Sequence, residues 1–336
     1  MPERVEARIA AALERVVDDA RADATGELAA YIPELATVDP EPTGIAAVGV
    51  RGVIAEAGDS RTPFTIQSVS KAFVAAVAYD RLGLAAVVEH VGLEPSGEAF
   101  DAISLEGGRG RPMNPLINAG AIATTSLLID DAAAGTADVL GILGAFAGRP
   151  LEIDVAVRDS ELGTADRNIA LAHLLHAAGH LGSDVDTAIR VYVDQCSVLV
   201  TAVDLAVMGA TLAAGGVNPV TGRRVVGEDA ARWTIAVMAS CGMYDASGEW
   251  LVRVGLPAKS GVGGGIAAVD PGWFGIGAFS PRLDSAGNSV RAIRMLRDLS
   301  ERYGLHMLGH FGDLDPQFGA PEPPAVLVDP TARATS

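Results

Sequence analysis

The residues best suited to do chemistry are Ser68, Lys71 and Lys259, and they stand out by scarcity as much as by spacing. The chain holds 23 arginines and just two lysines, which fall in Ser68-Val-Ser-Lys71 and in Lys259-Ser-Gly261. A serine followed three residues later by a lysine puts both side chains on one face of a helix, a turn apart. A serine hydroxyl is a poor nucleophile until a neighbouring base takes its proton. Lysine can be that base when burial or a second cation strips its charge, a loss that guanidinium resists. Lys259 is the candidate second cation for Lys71.

Alone, S-x-x-K is a common accident of helix starts. Here the only two lysines occupy both positions that S-x-x-K, K-[ST]-G serine hydrolases require, in the right order and widely separated. That pattern predicts an acyl-enzyme on Ser68, with Lys71 as general base. Starting a helix at Ser68 also lets the helix dipole favour a developing alkoxide. Gly261-Val-Gly-Gly-Gly265 lacks the Lys-Ser/Thr helix start of a phosphate loop. As a strand edge it admits substrate close to the backbone, and the N–H groups of Ser68 and Val262 would then form an oxyanion hole.

The elements around these residues follow from periodicity. Gly44–Val50 and Val53–Ala57 read as strands joined by a tight turn at Arg51-Gly52. Helical spacing recurs over Lys71–Leu82, Ala119–Asp130, Ala134–Phe146, Asn168–His180, Asp184–Gln195 and Val203–Ala214. Strand character returns at Trp250–Val254, Lys259–Ser260, Gly264–Val269 and Trp273–Phe279, before a last amphipathic helix over Asn288–Tyr303. Strands at both ends with helices between predict an α+β fold. Residues 1–65 and 246–310 form one discontinuous sheet domain, 66–245 an inserted all-helical domain, and 311–336 a poorly ordered tail rich in Pro and Asp.

Composition narrows the partners. A net charge of −17 opposes binding to nucleic acid or anionic lipid. No apolar run reaches the roughly 20 residues needed to span a bilayer. The amphipathic start, Met1–Arg15, lacks the pattern of a signal peptide, so a cytoplasmic location is expected. The Ala- and Gly-rich helices predict close packing within or between protomers, consistent with a dimer or tetramer. His173, His176 and His180 share a helix face without an accompanying acidic ligand motif, and Cys196 lacks an adjoining basic motif. Neither a metal nor a cofactor is expected.

Beyond the lysines, a set of stretches in order along the chain resembles the serine-dependent glutaminases, relatives of β-lactamases and penicillin-binding proteins. They are Tyr31-Ile-Pro-Glu-Leu35, Phe64-Thr-Ile-Gln-Ser-Val-Ser-Lys71, Asn114-Pro-Leu-Ile-Asn-Ala-Gly-Ala-Ile122, Ser160-Glu161 with Arg167-Asn168, Tyr192 with Gln195-Cys-Ser197, Gly242-Met-Tyr-Asp245, Gly255–Val262 and Asn288-Ser289. The resemblance implies a β-lactamase/transpeptidase-like fold, an antiparallel sheet flanked by helices, and hydrolysis of L-glutamine to L-glutamate and ammonia. It implies that Ser68 is acylated and Lys71 is its base, with Tyr31 and Tyr244 lining the pocket and Val262 offering an oxyanion amide. Asn118, Glu161, Asn168 and Tyr192 would hold the α-amino and α-carboxylate groups. That set suits a zwitterion, which needs an acid for its amine and neutral donors for its carboxylate. The other reading is a penicillin-binding-like module that senses a glutamine-like amino acid without turning it over. The spacing from Glu161 to Asn168, and the lack of a Ser-x-Asn element between Ser68 and Lys259, separate the chain from the penicillin-recognising relatives.

Overall fold

The computed structural model describes residues 2–97, 103 and 105–309. The expected tail at 311–336 and the last residue of the expected sheet domain lie outside them. Strands β1 (Gly44–Gly49) and β2 (Ile54–Gly58) form the anticipated hairpin, with Gly52 at φ 83° in its turn. The short β3 (Phe64–Thr65) pairs with β4 (Leu199–Val200), while β5 (Ala258–Ser260), β6 (Gly265–Asp270) and β7 (Phe274–Phe279) return near the C-terminus. The main sheet has five strands in the order β2-β1-β7-β6-β5, with every neighbouring pair antiparallel.

Helices surround it. They are α1 (Pro2–Arg21), α2 (Ser70–Leu82), α3 (Leu84–His90), α4 (Asn118–Ser126), α5 (Ala132–Ala147) and α6 (Val155–Gly163). After them come α7 (Asp166–Ala177), α8 (Val185–Cys196), α9 (Ala202–Ala213), α10 (Glu228–Cys241), α11 (Ser247–Arg253) and α12 (Val290–Tyr303). The stretch at Trp250–Val254, expected as a strand, is instead the end of α11. Trp250 and Val254 are buried four residues apart while Val252 is 79% exposed, so the buried positions follow a helical period rather than an alternation.

The sheet is apolar on both faces with a period of two. Ile45, Ala47, Ile266, Ala268, Ile276 and Ala278 pack with α1 and α12, which bring Leu13, Val16, Val17, Met295, Leu296 and Leu299. On the other face Ala46 and Val48 meet Ala206 and Ala210 of α9. Gly275 and Gly277 are what allow α9 to lie flat there: a Cβ at either would stand 2.1 Å from the Ala210 nitrogen or 2.0 Å from the Ala202 carbonyl. A second, larger core joins α2, α4, α5 and α8 beneath Ser68. Among the described residues no helix is long and apolar enough to cross a membrane.

Arg291 ties α12 to the chain before the sheet. Its side chain is 1% exposed and donates to the carbonyls of Asp23 (2.7 Å) and Glu41 (2.9 Å) and to Thr43 Oγ1 (3.1 Å). Leaving buried acceptors unpaired costs about 1–3 kcal/mol each. Arg291→Ala is therefore expected to lower stability by about 3 kcal/mol in a denaturant titration; a change within about 0.5 kcal/mol would contradict this tie.

Candidate active site

Ser68 sits where β3 gives way to α2. The Ile66 N–H donates to the Val198 carbonyl, Gln67 takes a positive φ of 49°, and a 3-10 turn over Gln67–Val69 leads directly into α2. A non-glycine residue at positive φ is strained and needs surroundings that enforce it. Ser68 is 7% exposed and lies beside Tyr244, whose hydroxyl pKa burial raises and Ser68 lowers. Tyr244 is itself at φ 56° and donates to the Ser260 carbonyl at 3.2 Å. These two are the only positive-φ non-glycine residues among the described ones, and they meet at the candidate nucleophile.

Both lysines are buried in the same place. Lys71, 1% exposed, donates from Nζ to Asn118 Oδ1 at 2.6 Å and lies 5.8 Å from the centroid of the Tyr192 ring. Burial holds its pKa down to about 8, while negative charge on Cys196 or Glu161 would raise it. Lys259 is wholly buried, donates to the Gly242 carbonyl (3.0 Å) and the Ser260 carbonyl (2.6 Å), and stands 4.2 Å over the ring of Tyr244. Its pKa is pushed well down, first by burial and then by Lys71. Desolvation is the first cause of the lowered pKa of each lysine, so burial is what chiefly favours neutral Lys71.

The four residues expected to hold a zwitterion converge around Lys71. Asn118, first residue of α4, bridges Lys71 and α7 by donating from Nδ2 to Asn168 Oδ1 at 3.1 Å. Tyr192, 3% exposed on α8, has its hydroxyl pKa raised well above the usual value, chiefly by burial. Glu161, near the end of α6, accepts a 2.5 Å hydrogen bond from Gln67 Nε2. Desolvation raises its pKa to about 7, against the lowering effects of Gln67 and Lys71. Gln67 is the residue that sequence reasoning passed over: standing directly before the candidate nucleophile, it donates its side-chain amide to the candidate amine-binding acid.

Val262 lies in the turn between β5 and β6. The Gly261 N–H donates to the Gly265 carbonyl and the Gly264 N–H to the Gly261 carbonyl, so the Val262 N–H takes part in neither bond. The turn is pressed against the segment that carries Ser68. A Cβ at Gly261 would lie 2.8 Å from the Ile66 carbonyl and 3.2 Å from the Ser68 nitrogen, and one at Gly263 would lie 2.2 Å from the Thr65 carbonyl. Gly242 is constrained in the same way on the other side, where a Cβ would come within 1.6 Å of the Ala258 carbonyl. Tyr31 is 53% exposed on a turn anchored by Ala29, Ile32 and Leu35, which pack with Val157 of α6 and with Val262. Beside Tyr244 a cavity of about 200 Å³ is lined by Asn114, Leu116, Ile117, Cys241 and Ser247.

A sequence profile of the glutaminase family, matched over residues 26–308, spans every one of these positions. The chain belongs to the glutaminase family. It is 51% identical over 298 residues to Glutaminase 2 of Bradyrhizobium diazoefficiens, an alignment covering 88% of this chain and 48% of that protein. The chain thus spans about half the length of that curated relative. Among solved structures, Mglu in its glutamate form is 48% identical, with a TM-score of 0.85 over 90% of this chain and 69% of that one. The probable glutaminase from Bacillus subtilis complexed with 6-diazo-5-oxo-L-norleucine is 34% identical, with a TM-score of 0.82 over 89% of this chain and 97% of that one.

Within this glutaminase-family chain the remaining candidates fall outside the site or serve it indirectly. Among the described residues no group of three or more metal-type ligands converges, and the His180 ring contacts the Arg109 carbonyl at 3.0 Å. Cys196 is buried and free, with its thiol pKa pushed up by burial. Ser260 Oγ, beside Lys259, is buried without a hydrogen-bond partner.

Proposed function

We propose that this chain hydrolyses the side-chain amide of L-glutamine through a γ-glutamyl ester on Ser68. The observation that carries the reading is the burial of the chain's only two lysines around one serine and one tyrosine. Ser68 attacks the amide carbon as neutral Lys71 takes its proton, and the N–H groups of Ser68 and Val262 receive the oxyanion. Ammonia departs with a proton from Lys71 or Tyr244, and water then cleaves the ester to give glutamate. Ionised Glu161 takes the α-ammonium in place of the Gln67 amide. Asn118, Asn168 and Tyr192 serve the carboxylate, and Tyr31 lines the mouth. Lys259 keeps Tyr244 and β5 in position beside Ser68.

Several wider features belong to the same reading. Its fold is of the β-lactamase/transpeptidase kind, with 66–245 inserted as a helical domain between 1–65 and 246–310 and with α9 as the wall shared with the sheet. The enzyme is cytoplasmic, which suits its two free cysteines. It works as a dimer or tetramer.

The deciding assay compares ammonia release from glutamine and asparagine with turnover of a chromogenic β-lactam. Only glutamine is expected to react. Asparagine is one methylene too short to bring its amide to Ser68 while its amine stays at Glu161. Equal rates on asparagine, or ready β-lactam hydrolysis, would overturn the assignment.

The pH dependence has a definite sign. Glu161 must lose its proton, with a pKa of about 7, to hold the ammonium, and Lys71 must lose its proton, with a pKa of about 8, to act as base. Both conditions are met as pH rises. kcat/KM should therefore climb from pH 6 to 9 and fall away in acid, and a flat profile across that interval would contradict both roles.

A further inference from the structure

The positive φ of Gln67 raises the question of what enforces it. The Ser70 hydroxyl donates to the Gln67 carbonyl at 2.7 Å, Gln195 Nε2 donates to Ser70 Oγ at 3.0 Å, and the Thr125 hydroxyl donates to Gln195 Oε1 at 2.8 Å. These side chains come from α2, α8 and α4, and Ser70, Gln195 and Thr125 are all 0–1% exposed. The sequence of donors runs one way. The Gln67 carbonyl can only accept, so the single proton of Ser70 is committed to it, Ser70 Oγ accepts from Gln195 Nε2, and Gln195 Oε1 accepts from Thr125. A buried run of this kind is polarised along its length.

The carbonyl where the run ends belongs to the same peptide unit as the Ser68 N–H. A trans peptide is planar, with its C=O and N–H pointing in opposite directions. Pinning the Gln67 carbonyl therefore aims the Ser68 N–H. We propose that Gln195 is a positioning residue that, through Ser70, orients the Ser68 amide as an oxyanion donor. The proposal rests on the acyl-enzyme reading above. It assigns Gln195 an effect on the transition state, where negative charge develops on the oxyanion, and little effect on the bound ground state.

The test uses Gln195→Met, Ser70→Ala and the double variant in the full chain, with folding checked by thermal melting and kinetics measured on glutamine. Each single variant is expected to lose about 10- to 100-fold in kcat, with KM changed less than about 3-fold. Because both act through one run, the double variant should lose no more than the worse single one, whereas independent packing defects would multiply. Unchanged kcat in folded Gln195→Met, or multiplying losses, would overturn the proposal. Should Gln195→Met fail to fold, Ser70→Ala removes only the hydroxyl and decides alone: kcat within about 2-fold of wild type overturns the idea, and a kcat loss at constant KM supports it. Ser68→Ala run in parallel separates the two levels, since turnover without Ser68 would overturn the acyl-enzyme reading itself.

Discussion

Ser68→Ala is expected to lower ammonia release from glutamine by about 10,000-fold or more while leaving the melting temperature nearly unchanged. The hydroxyl it removes is the proposed nucleophile, and the two cysteines are poor substitutes for it. Cys196 is buried with a raised pKa, and Cys241 is likewise buried with its thiol pushed up by desolvation. The substitution keeps the 3-10 turn and the start of α2, because alanine tolerates the conformation of residue 68 and favours the helix that follows. The Tyr244 hydroxyl keeps the Ser260 carbonyl as acceptor in the variant. Glutamine should still bind, as equilibrium calorimetry would show. Turnover within about 10-fold of wild type would remove Ser68 from the mechanism.

Lys71→Arg should be nearly as damaging, with an expected loss of about 1,000-fold in kcat. A conservative exchange at the surface is severe here for two reasons. Arginine stays charged at any pH the protein survives, so it cannot accept the proton of Ser68. The site around Lys71 also holds a single ammonium against Asn118 Oδ1 at 2.6 Å, and it accommodates that group largely by making it easier to neutralise. A guanidinium there is a buried cation without that escape, so the variant should also melt at lower temperature. Lys71→Met separates the two effects. It should fold at least as well as Lys71→Arg and be as inactive. An arginine variant with a tenth of wild-type kcat would show that positive charge, and not a base, is what position 71 supplies.

How much of this was legible in the sequence depends on the kind of information each residue carries. Lys71 and Lys259 could be singled out because a chain that uses arginine everywhere else marks its exceptions. Strands β1, β2, β6 and β7 were legible because a sheet buried on both faces needs small apolar runs bounded by glycine and turns. The end of α11 was misread because Trp-Leu-Val-Arg-Val reads as an alternation until one knows that Val252 points to solvent. Glu161, Asn118, Asn168 and Tyr192 could be nominated only through resemblance, since each alone has a simpler role as cap or core residue. The strain at Gln67 and the run from Thr125 through Gln195 had no signature at all. Backbone sign and the meeting of α2, α4 and α8 arise from packing between segments far apart in the chain. Even with both lysines identified, the sequence did not reveal how deeply each is buried, and burial is the first cause of the lowered pKa of both.

The lysine economy has a consequence for how the protein can be handled and watched. With Lys71 1% and Lys259 0% exposed, the folded surface presents no lysine side chain to amine-directed reagents. Acetylation or carbamylation of either lysine requires the interior around it to open. The rate at which a small acylating reagent labels those two amines therefore measures how often the interior breathes, with no probe engineered into the chain. A bound substrate analogue that closes the site should slow that labelling at Lys71 more than at Lys259.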